Sequence, residues 1–333
     1  MKRRARLRVG VLGYGAIGRH HARNLAQMRG VDFAGIADPS PSARRAAEAL
    51  GIRSFATAEA LAAAGLDAAV VAVPTSLHET AAEPLMERGC ALLVEKPLAH
   101  SMTAAKRLIS RAELAGVPLM VGYVERYNPA IEALRAFIAD DRLGTLVNIS
   151  ARRVGALPPR VKDADVLIDI GVHDIDVVAF ITGARRIHLI AARGGMALLD
   201  DRLDHATMLL DAAGCVVTIE ANWITPVKVR ELTLTGTKGY CRVDYMTQDV
   251  WFAPGRSFAP AATYDALVAQ YTEGTMLQLP VVKREPLARE LDVFVNGVRD
   301  GALPDPRIAL ASLRLAEEAS KAILSGFSSE RSA

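Results

Sequence analysis

Hydrophobic and polar positions form repeating blocks through the first 125 residues. Short, continuously apolar runs such as Leu7–Leu12 and Val31–Ala37 precede stretches in which apolar residues recur at helical spacing, as in Ile17–Met28. Ser40 followed by Pro41 is typical of a helix start. Apolar strands that alternate with helices of about 10–15 residues predict a parallel sheet covered by helices on both faces. Further strands are predicted at Asp67–Val73, Ala91–Glu95 and Leu119–Tyr123, and a further helix at Ser101–Ala115.

The pattern changes after about residue 145, where short strand-like segments are separated by turns such as Ala213-Gly214. This arrangement favours an antiparallel sheet. The predicted strands are Val147–Arg153, Ile187–Arg193, Ala206–Leu210, Val216–Ala221, Glu231–Thr235 and Tyr240–Asp244, and the predicted helices are Leu167–Ile181, Pro286–Asp300 and Ile308–Ser325. We therefore predict an α/β domain at residues 1–125 and an α+β domain at residues 126–333, with the C-terminal helices able to pack back on the first domain.

Composition narrows the class of protein. A length of 333 residues corresponds to roughly two domains, and 51% hydrophobic residues are enough to form a core. The net charge is 40 − 37 = +3, which argues against a nucleic-acid partner. No apolar run approaches the ~18 residues that span a bilayer. Three widely spaced cysteines indicate neither a disulfide framework nor a structural zinc site, so a cytoplasmic protein is expected.

The segment Gly13-Tyr14-Gly15-Ala16-Ile17-Gly18 fits the pattern GxGxxG and lies between a predicted strand and a predicted helix. Such glycines permit a tight turn, close approach of a pyrophosphate, and helix–strand packing. Asp38 ends the second strand, where a carboxylate accepts hydrogen bonds from the ribose hydroxyls of adenosine and repels a 2′-phosphate. We therefore predict NAD as the cofactor, while Arg44 and Arg45 leave NADP open.

Glu95-Lys96-Pro97 ends the strand that begins at Ala91. Ligands of open α/β sheets bind beyond the carboxyl ends of the strands, so Lys96 is predicted to point toward the cofactor. Pro97 disfavours a helical conformation at Lys96 and permits a cis peptide bond. The alternative is a solvent-exposed loop lysine.

Asp169, His173 and Asp176 are spaced at i, i+4 and i+7 and share one face of the predicted helix Leu167–Ile181. A histidine beside carboxylates is suited to accept an alcohol proton while hydride leaves the carbon. The alternatives are a core histidine satisfied by its helix neighbours and a His/Asp metal site. No metal is predicted, since no further His or Cys lies nearby in the sequence.

With these motifs together, the chain resembles the glucose–fructose oxidoreductase / inositol dehydrogenase / MocA family. The other segments of likeness are Val73-Pro74-Thr75 with His78, Gly236-Thr237-Lys238-Gly239 and Glu285-Pro286-Leu287. The resemblance implies a Rossmann domain followed by an α+β domain with an open-faced, mostly antiparallel sheet. It also implies that Lys96, Asp169 and His173 are catalytic, and that the protein is a homodimer or homotetramer. The candidate cofactor-binding residues are Gly13, Gly15, Ala16, Ile17, Gly18, Asp38, Pro74, Thr75, His78, Glu95, Lys96 and Pro97.

Two segments, 121–130 and 153–160, are similar to those of UDP-N-acetylglucosamine 3-dehydrogenases. This implies oxidation of the C3 hydroxyl of a UDP-N-acetylhexosamine, or of its uronic acid, to the ketone. Tyr123 stands where those enzymes usually have His, and Ala156 where they usually have Pro, so the hexose stays open.

A basic strand end fits a diphosphate. Arg153, Arg160 and Lys162 bring cations to one strand end and its loop, and Arg suits bidentate contact with phosphate. Arg153 is preferred to Arg152 because it shares the phase of the apolar residues in Val147–Ala151, the face expected to meet the histidine helix. The alternative is a solvated arginine pair. The candidate substrate-binding residues are Tyr123, Arg126, Asn128, Arg153, Arg160, Lys162, Asp169 and His173.

Three functions remain. In the leading one, His173 takes the hydroxyl proton, Asp169 orients it, and Lys96 hydrogen-bonds the reacting oxygen, although Lys96 and His173 can exchange roles. The second is oxidation of a free polyol or sugar such as inositol, which needs no basic loop. The third is an NAD-sensing regulatory protein without turnover, against which the presence of all three residues argues.

Overall fold

The computed structural model describes residues 6–158, 164–255, 263–265 and 275–330. The chain divides into two compact units, one formed by Met1–Tyr127 with Glu285–Arg314 and the other by Asn128–Arg284 with Leu315–Ala333. The boundary expected after residue 125 lies two residues before the first crossing between the units. The chain also crosses back, because a C-terminal segment belongs to the first unit.

The first unit contains a parallel sheet of six strands. The strands are β1 (Leu7–Leu12), β2 (Val31–Ala37), β3 (Ser54–Phe55), β4 (Ala68–Val71), β5 (Ala91–Glu95) and β6 (Leu119–Gly122), in the order β3-β2-β1-β4-β5-β6. Its helices are α1 (Ala16–Gln27), α2 (Pro41–Glu48), α3 (Ala58–Ala62), α4 (His78–Met86) and α5 (Met102–Leu114). The predicted parallel sheet is therefore confirmed, and β4 and β5 are buried along their whole length.

Local capping explains where two of these helices begin. The Ser40 hydroxyl accepts a hydrogen bond from the Ala43 N–H at 3.4 Å, and Pro41 opens α2 as predicted. Ser101 caps α5 in the same way. The two-residue strand β3 and the five-residue helix α3 were not predicted, because elements this short show no measurable periodicity.

The second unit contains an eight-stranded sheet. Its strands are β7 (Leu146–Val154), β8 (Ile187–Gly195), β9 (His205–Ala212), β10 (Cys215–Asn222), β11 (Val229–Gly236), β12 (Gly239–Asp244), β13 (Asp249–Pro254) and β14 (Leu277–Gln278), in the order β14-β13-β12-β11-β7-β10-β9-β8. Within this second sheet, β7 and β10 are the only described neighbouring strands that pair in parallel. Alternate residues of β10 are buried and the intervening ones are accessible, which confirms an open-faced, mostly antiparallel sheet.

Two helices pack on the covered face of this sheet, α6 (Pro129–Ala139) and α7 (Val172–Thr182). Helix α6 was not predicted, although Asn128 followed by Pro129 is a helix start of the same kind as Ser40-Pro41. The continuous helix expected over Leu167–Ile181 is wrong in its first turn, which is a π-helical turn at Leu167–Gly171. That wider turn changes the angular spacing between Asp169 and the residues of α7.

The chain ends with α8 (Pro286–Asp300) and α9 (Ile308–Glu330). Helix α8 packs against α1 in the first unit, and its Leu291, Phe294 and Val295 belong to the same buried core as Val9 of β1. From the sequence, the C-terminal helices were expected to be able to pack back on the first domain, and α8 does so. Within the described ranges, no helix is both long and apolar enough to cross a membrane.

Shortening Phe294 tests whether α8 is an integral part of the first unit. Phe294 is fully buried, so we expect Phe294→Ala to lower the free energy of unfolding of this unit by about 3–5 kcal/mol. Native-state hydrogen exchange at the amides of β1 and β4 measures the change. The matched control Leu114→Ala removes an 89% exposed side chain at the end of α5 and should have almost no effect. Equal protection in the two variants would contradict the assignment.

Candidate active site

The three glycines of the turn after β1 have three different surroundings. Gly13 has a φ of +91°, and a Cβ atom there would lie 2.4 Å from the Ala72 carbonyl oxygen. A Cβ on Gly18 would lie 2.1 Å from the Gly13 carbonyl oxygen, so helix α1 and the turn approach too closely for any side chain. At Gly15, by contrast, no described atom lies within 4 Å of the Cβ position. The turn is therefore closed on its inner side and open where a ligand would approach.

The N-terminus of α1 is also accessible. Gly15, Ala16 and Ile17 are exposed, and no described side chain caps the first turn of the helix. That turn contains no acidic residue. Its unpaired N–H groups are thus available to a phosphate, which the positive end of the helix dipole favours.

Asp38 is held beside this turn by two backbone hydrogen bonds. The Tyr14 N–H donates to Asp38 Oδ2 and the Ser40 N–H donates to Asp38 Oδ1, both at 2.8 Å. Arg44 donates to the backbone carbonyl oxygens of Asp38 and Pro39, at 2.8 and 2.9 Å. A charged carboxylate next to an open glycine turn fits the ribose of NAD, and Arg44 is bonded to the backbone instead of standing free for a 2′-phosphate.

His78 packs beneath the loop that follows β4, on the side away from solvent. Pro74 is exposed and Thr75 begins a short 3₁₀ turn, whereas His78 is buried. Its Nδ1 lies 3.1 Å from the Leu98 carbonyl oxygen and its Nε2 lies 3.0 Å from that of Val73. Burial lowers the pKa of His78 below its ordinary value, which favours a neutral ring. A neutral ring carries one N–H and donates to only one of these two carbonyl oxygens; His78 thus lies between the two loops, while Pro74 and Thr75 remain accessible.

Lys96 follows β5 directly, and the Lys96–Pro97 peptide bond is cis. The Lys96 N–H donates to Glu95 Oε2 at 3.2 Å, and Glu95 Oε1 lies 2.7 Å from His21 Nε2. Burial alone would raise the pKa of Glu95, but the hydrogen bond and charge of His21, together with the Lys96 ammonium, outweigh it and lower that pKa. Glu95, which the sequence predicts as a cofactor-binding residue, is thus a buried anion that supports the backbone of Lys96.

Two of the residues expected to contact substrate after β6, Tyr123 and Asn128, are buried. The Tyr123 hydroxyl lies 2.6 Å from Ser312 Oγ. Asn128 caps α6, because its Oδ1 accepts from the Ala130 N–H at 3.1 Å, and its Nδ2 donates to the Tyr245 carbonyl oxygen at 3.0 Å. These contacts give Tyr123 and Asn128 packing and capping roles. Arg126 is only half-buried and stays a candidate for substrate contact.

In the second unit, Asp169 and Asp176 are buried and His173 is partly accessible. Asp169 lies in the π-helical turn, and His173 is the second residue of α7. The accessible imidazole with a buried aspartate one turn before it is consistent with a proton acceptor and its orienting group. Lys96 belongs to the first unit and His173 to the second.

Asp174 was not singled out from the sequence, yet it is one of the most buried charges of the second unit. Arg153 donates two hydrogen bonds to it, at 2.7 and 3.0 Å, and the Tyr245 hydroxyl lies 3.3 Å away. The Arg153 guanidinium also lies 5.0 Å from the centre of the Tyr245 ring. An Asp that follows directly on His173 within an apolar helix was the signal available in the sequence.

These contacts change the interpretation of Arg153. It faces α7 as the strand phase predicted, and Arg152 on the opposite face pairs with Glu220 at 2.7 Å. However, the bidentate geometry that a phosphate would use is occupied by Asp174. Arg153 therefore orients α7, and it is not retained as a phosphate contact. The predicted contacts Arg160 and Lys162 lie outside the described residues.

Comparisons with known proteins agree with both units. Residues 7–123 match the family described as "Oxidoreductase family, NAD-binding Rossmann fold", and residues 131–242 match the GFO/IDH/MocA C-terminal domain. UDP-N-acetylglucosamine 3-dehydrogenase of Acidithiobacillus ferrooxidans is 30% identical over 296 residues, covering 88% of each chain. Inositol 2-dehydrogenase of Rhizobium meliloti is 27% identical, covering 95% of this chain and 97% of its own.

A solved structure of the Acidithiobacillus ferrooxidans enzyme GnnA superposes with a TM-score of 0.81. The two chains are 27% identical, and the match covers 96% of this chain and 97% of that one. The similarity therefore extends over both units, and is not confined to the nucleotide-binding fold.

Replacing Asp38 tests the cofactor site. We expect Asp38→Ser to raise the KM for NAD about 10- to 100-fold, because a hydrogen bond to a charged group contributes about 1.5–3 kcal/mol. The ratio of kcat/KM for NADP to that for NAD should rise at the same time. The control Asp32→Ser removes a carboxylate that pairs with Arg8 near the other end of β2. An unchanged cofactor preference in Asp38→Ser would remove Asp38 from the site.

Proposed function

Because the chain belongs to the glucose–fructose oxidoreductase / inositol dehydrogenase / MocA family, and is thus an NAD-dependent sugar oxidoreductase, we propose that it oxidises a UDP-linked N-acetylhexosamine. The proposed reaction converts the C3 hydroxyl of UDP-N-acetylglucosamine, or of its uronic acid, to the ketone. NAD, when bound, accepts the hydride from C3.

The chain's own residues handle the proton. In this proposal His173 accepts the proton of the C3 hydroxyl, and Asp169 orients the imidazole. Lys96 donates a hydrogen bond to the same oxygen and stabilises the negative charge that develops as the C–H bond breaks. Glu95 holds the backbone N–H of Lys96, and the pair of Arg153 and Asp174 holds the first turns of α7. The products are the 3-keto sugar, NADH and one proton.

The observation that carries the choice of substrate is the match over 88% of both chains to a relative named UDP-N-acetylglucosamine 3-dehydrogenase. The residues Arg126, Arg160 and Lys162 supply the cations that a diphosphate requires. The proposed NAD site is supported by the open position at Gly15 and by the carboxylate of Asp38 beside it.

Oxidation of a free polyol is the second candidate. The observation that favours it is the 27% identity to an inositol 2-dehydrogenase, which covers nearly the whole of both chains. A neutral polyol needs the same proton-handling residues but no diphosphate contact. The two candidates therefore differ in whether the basic residues of the loop are used.

Direct assay separates the candidates. We expect NADH absorbance to appear when the protein and NAD are mixed with UDP-N-acetylglucosamine or its uronic acid, and not with myo-inositol. Turnover of inositol alone would support the second candidate and overturn the first. A flat trace with every sugar, together with saturable NAD binding, would overturn both.

The controls for this assay use two variants. Lys96→Ala should lower kcat at least about 100-fold while NAD binding persists, because acid/base assistance contributes about 100- to 10,000-fold. Arg160→Ala should raise the KM for the UDP-sugar, whereas Arg152→Ala, which removes an exposed arginine paired with Glu220, should leave it unchanged.

We also propose that copies of the chain associate through the open face of the second unit's sheet. Val216 is 43% exposed on that face, although its neighbours Cys215 and Val217 are buried on the other. In sedimentation velocity the protein should be a dimer or tetramer, and Val216→Glu should shift it toward the monomer. A monomeric wild type would refute the proposal.

A further inference from the structure

A buried cluster of three titratable side chains lies directly behind Lys96 in the first unit. It consists of His21 on α1, Glu95 at the end of β5 and Glu290 on α8, and one ring nitrogen or carboxylate oxygen from each of them lies within 4.8 Å of those of the other two. His21 and Glu290 are fully buried, and Glu95 is 9% exposed. None of the functional motifs read from the sequence includes Glu290.

The two carboxyl groups of this cluster differ in their hydrogen bonds. Glu95 has both oxygens engaged, one by His21 Nε2 at 2.7 Å and the other by the Lys96 N–H at 3.2 Å. Among the residues that the structure describes, neither carboxyl oxygen of Glu290 has a hydrogen-bond partner, and neither has His21 Nδ1. A second ionised carboxylate here would be buried, unpaired and beside a like charge, which is the least favourable state for such a group.

Within the cluster His21 is bonded to Glu95 through Nε2, and the charged groups on the described neighbouring elements are not hydrogen-bonded to Glu290 either. Helix α1 carries Arg23, but its guanidinium is bonded to Glu285 at 2.5 Å, before the first turn of α8. The 3₁₀ turn Val124–Tyr127, which contacts α8, carries Glu125 and Arg126, whose charges are of opposite sign. Lys96 follows Glu95 in the chain, and its charge helps to lower the pKa of the Glu95 carboxylate.

Two further polar residues near the cluster, His78 and Asn24, do not supply a partner for Glu290 either. Burial lowers the pKa of His78, although the charge of Glu95 acts in the opposite direction. Asn24 donates to Glu285 at 3.0 Å and so helps to hold α8 against α1. Burial and the charge of Glu95 together raise the pKa of Glu290 well above its usual value.

Two carboxylates and an imidazole are also a possible set of metal ligands, and geometry distinguishes the two cases. Around a tetrahedral zinc ion with bonds of about 2.0–2.1 Å, neighbouring ligand atoms lie ~3.3 Å apart. His21 Nε2 and Glu95 Oε1 are only 2.7 Å apart, the distance of a charge-assisted hydrogen bond. The cluster is therefore arranged for a proton.

We propose that Glu290 is a positioning residue that works as a neutral carboxylic acid. Its proton lets a second carboxyl group fill the space behind Glu95 without repelling it, so that Glu95 stays bonded to His21 and to the Lys96 N–H. The protonation state proposed for Glu290 does not depend on which reaction the protein catalyses. The effect of Glu290 on catalysis, by contrast, rests on the role proposed for Lys96.

Infrared difference spectroscopy tests the proton directly. The spectrum of the wild type minus that of Glu290→Gln at neutral pH should contain the C=O stretching band of a protonated carboxylic acid, shifted in D₂O. The matched control Glu87→Gln changes an exposed glutamate after α4 and should produce no such band. Absence of the band at Glu290 would overturn the proposal. So would a metal ion bound at one per chain in the wild type and lost in Glu290→Gln.

The pH dependence of stability gives a second readout. A carboxyl group whose pKa is raised in the folded state stabilises fully below its unfolded value of 4.5, and that stabilisation is lost as pH rises toward the folded value. As pH rises above 4.5 toward the raised folded pKa, the folding equilibrium constant of the wild type should therefore fall relative to that of Glu290→Gln, by up to about tenfold per pH unit. A pH-independent difference would show that Glu290 is ionised.

Kinetics test the positioning role separately. Glu290→Gln, which mimics the neutral acid, should keep kcat within about threefold, whereas Glu290→Ala should lower kcat at least tenfold with little change in the Kd for NAD. An unchanged kcat in Glu290→Ala would refute the positioning role. If no sugar is turned over even by the wild type, the proposed function fails, and the infrared band still decides the state of Glu290.

Discussion

All six strands of the first sheet run in the same direction, and every loop that follows a strand therefore emerges at one edge. This constraint gathers the glycine turn after β1, Asp38 after β2, the Pro74–Thr75 loop after β4 and Lys96 after β5. One reversed strand would send its loop to the opposite edge. Individual hydrogen bonds, such as the one from the Tyr14 N–H to Asp38, then fix the exact positions of these residues.

In both units a residue of the proposed chemistry is held by a buried charge pair. Glu95 and His21 support the backbone of Lys96, and Arg153 and Asp174 hold the helix that carries His173. Removing one partner of a buried pair typically costs about 3–5 kcal/mol, since the other charge is left unpaired. Such pairs stabilise less than apolar packing would, so we interpret them as devices that fix orientation.

Resemblance of a segment to a family proved to be a weaker guide to individual roles than to the fold. Tyr123 and Asn128 lie in a segment similar to that of nucleotide-sugar dehydrogenases, yet their polar groups bond to Ser312 and to the backbone of α6 and Tyr245. His78 and Arg153 are engaged in the same way. The residues of a motif can thus act by shaping a site, and not only by touching a ligand.

The sequence by itself determined the described strands other than β3, β13 and β14, most helices, the glycine turn with Asp38, and the position of Lys96 after its strand. These depend on local periodicity, capping and turn chemistry, which neighbouring residues encode. Only the tertiary structure decided that α8 returns to the first unit, that Arg153 is paired with Asp174, and that Glu290 lies behind Glu95. The partners of a buried polar group depend on which faces pack together, and no spacing along the chain specifies that.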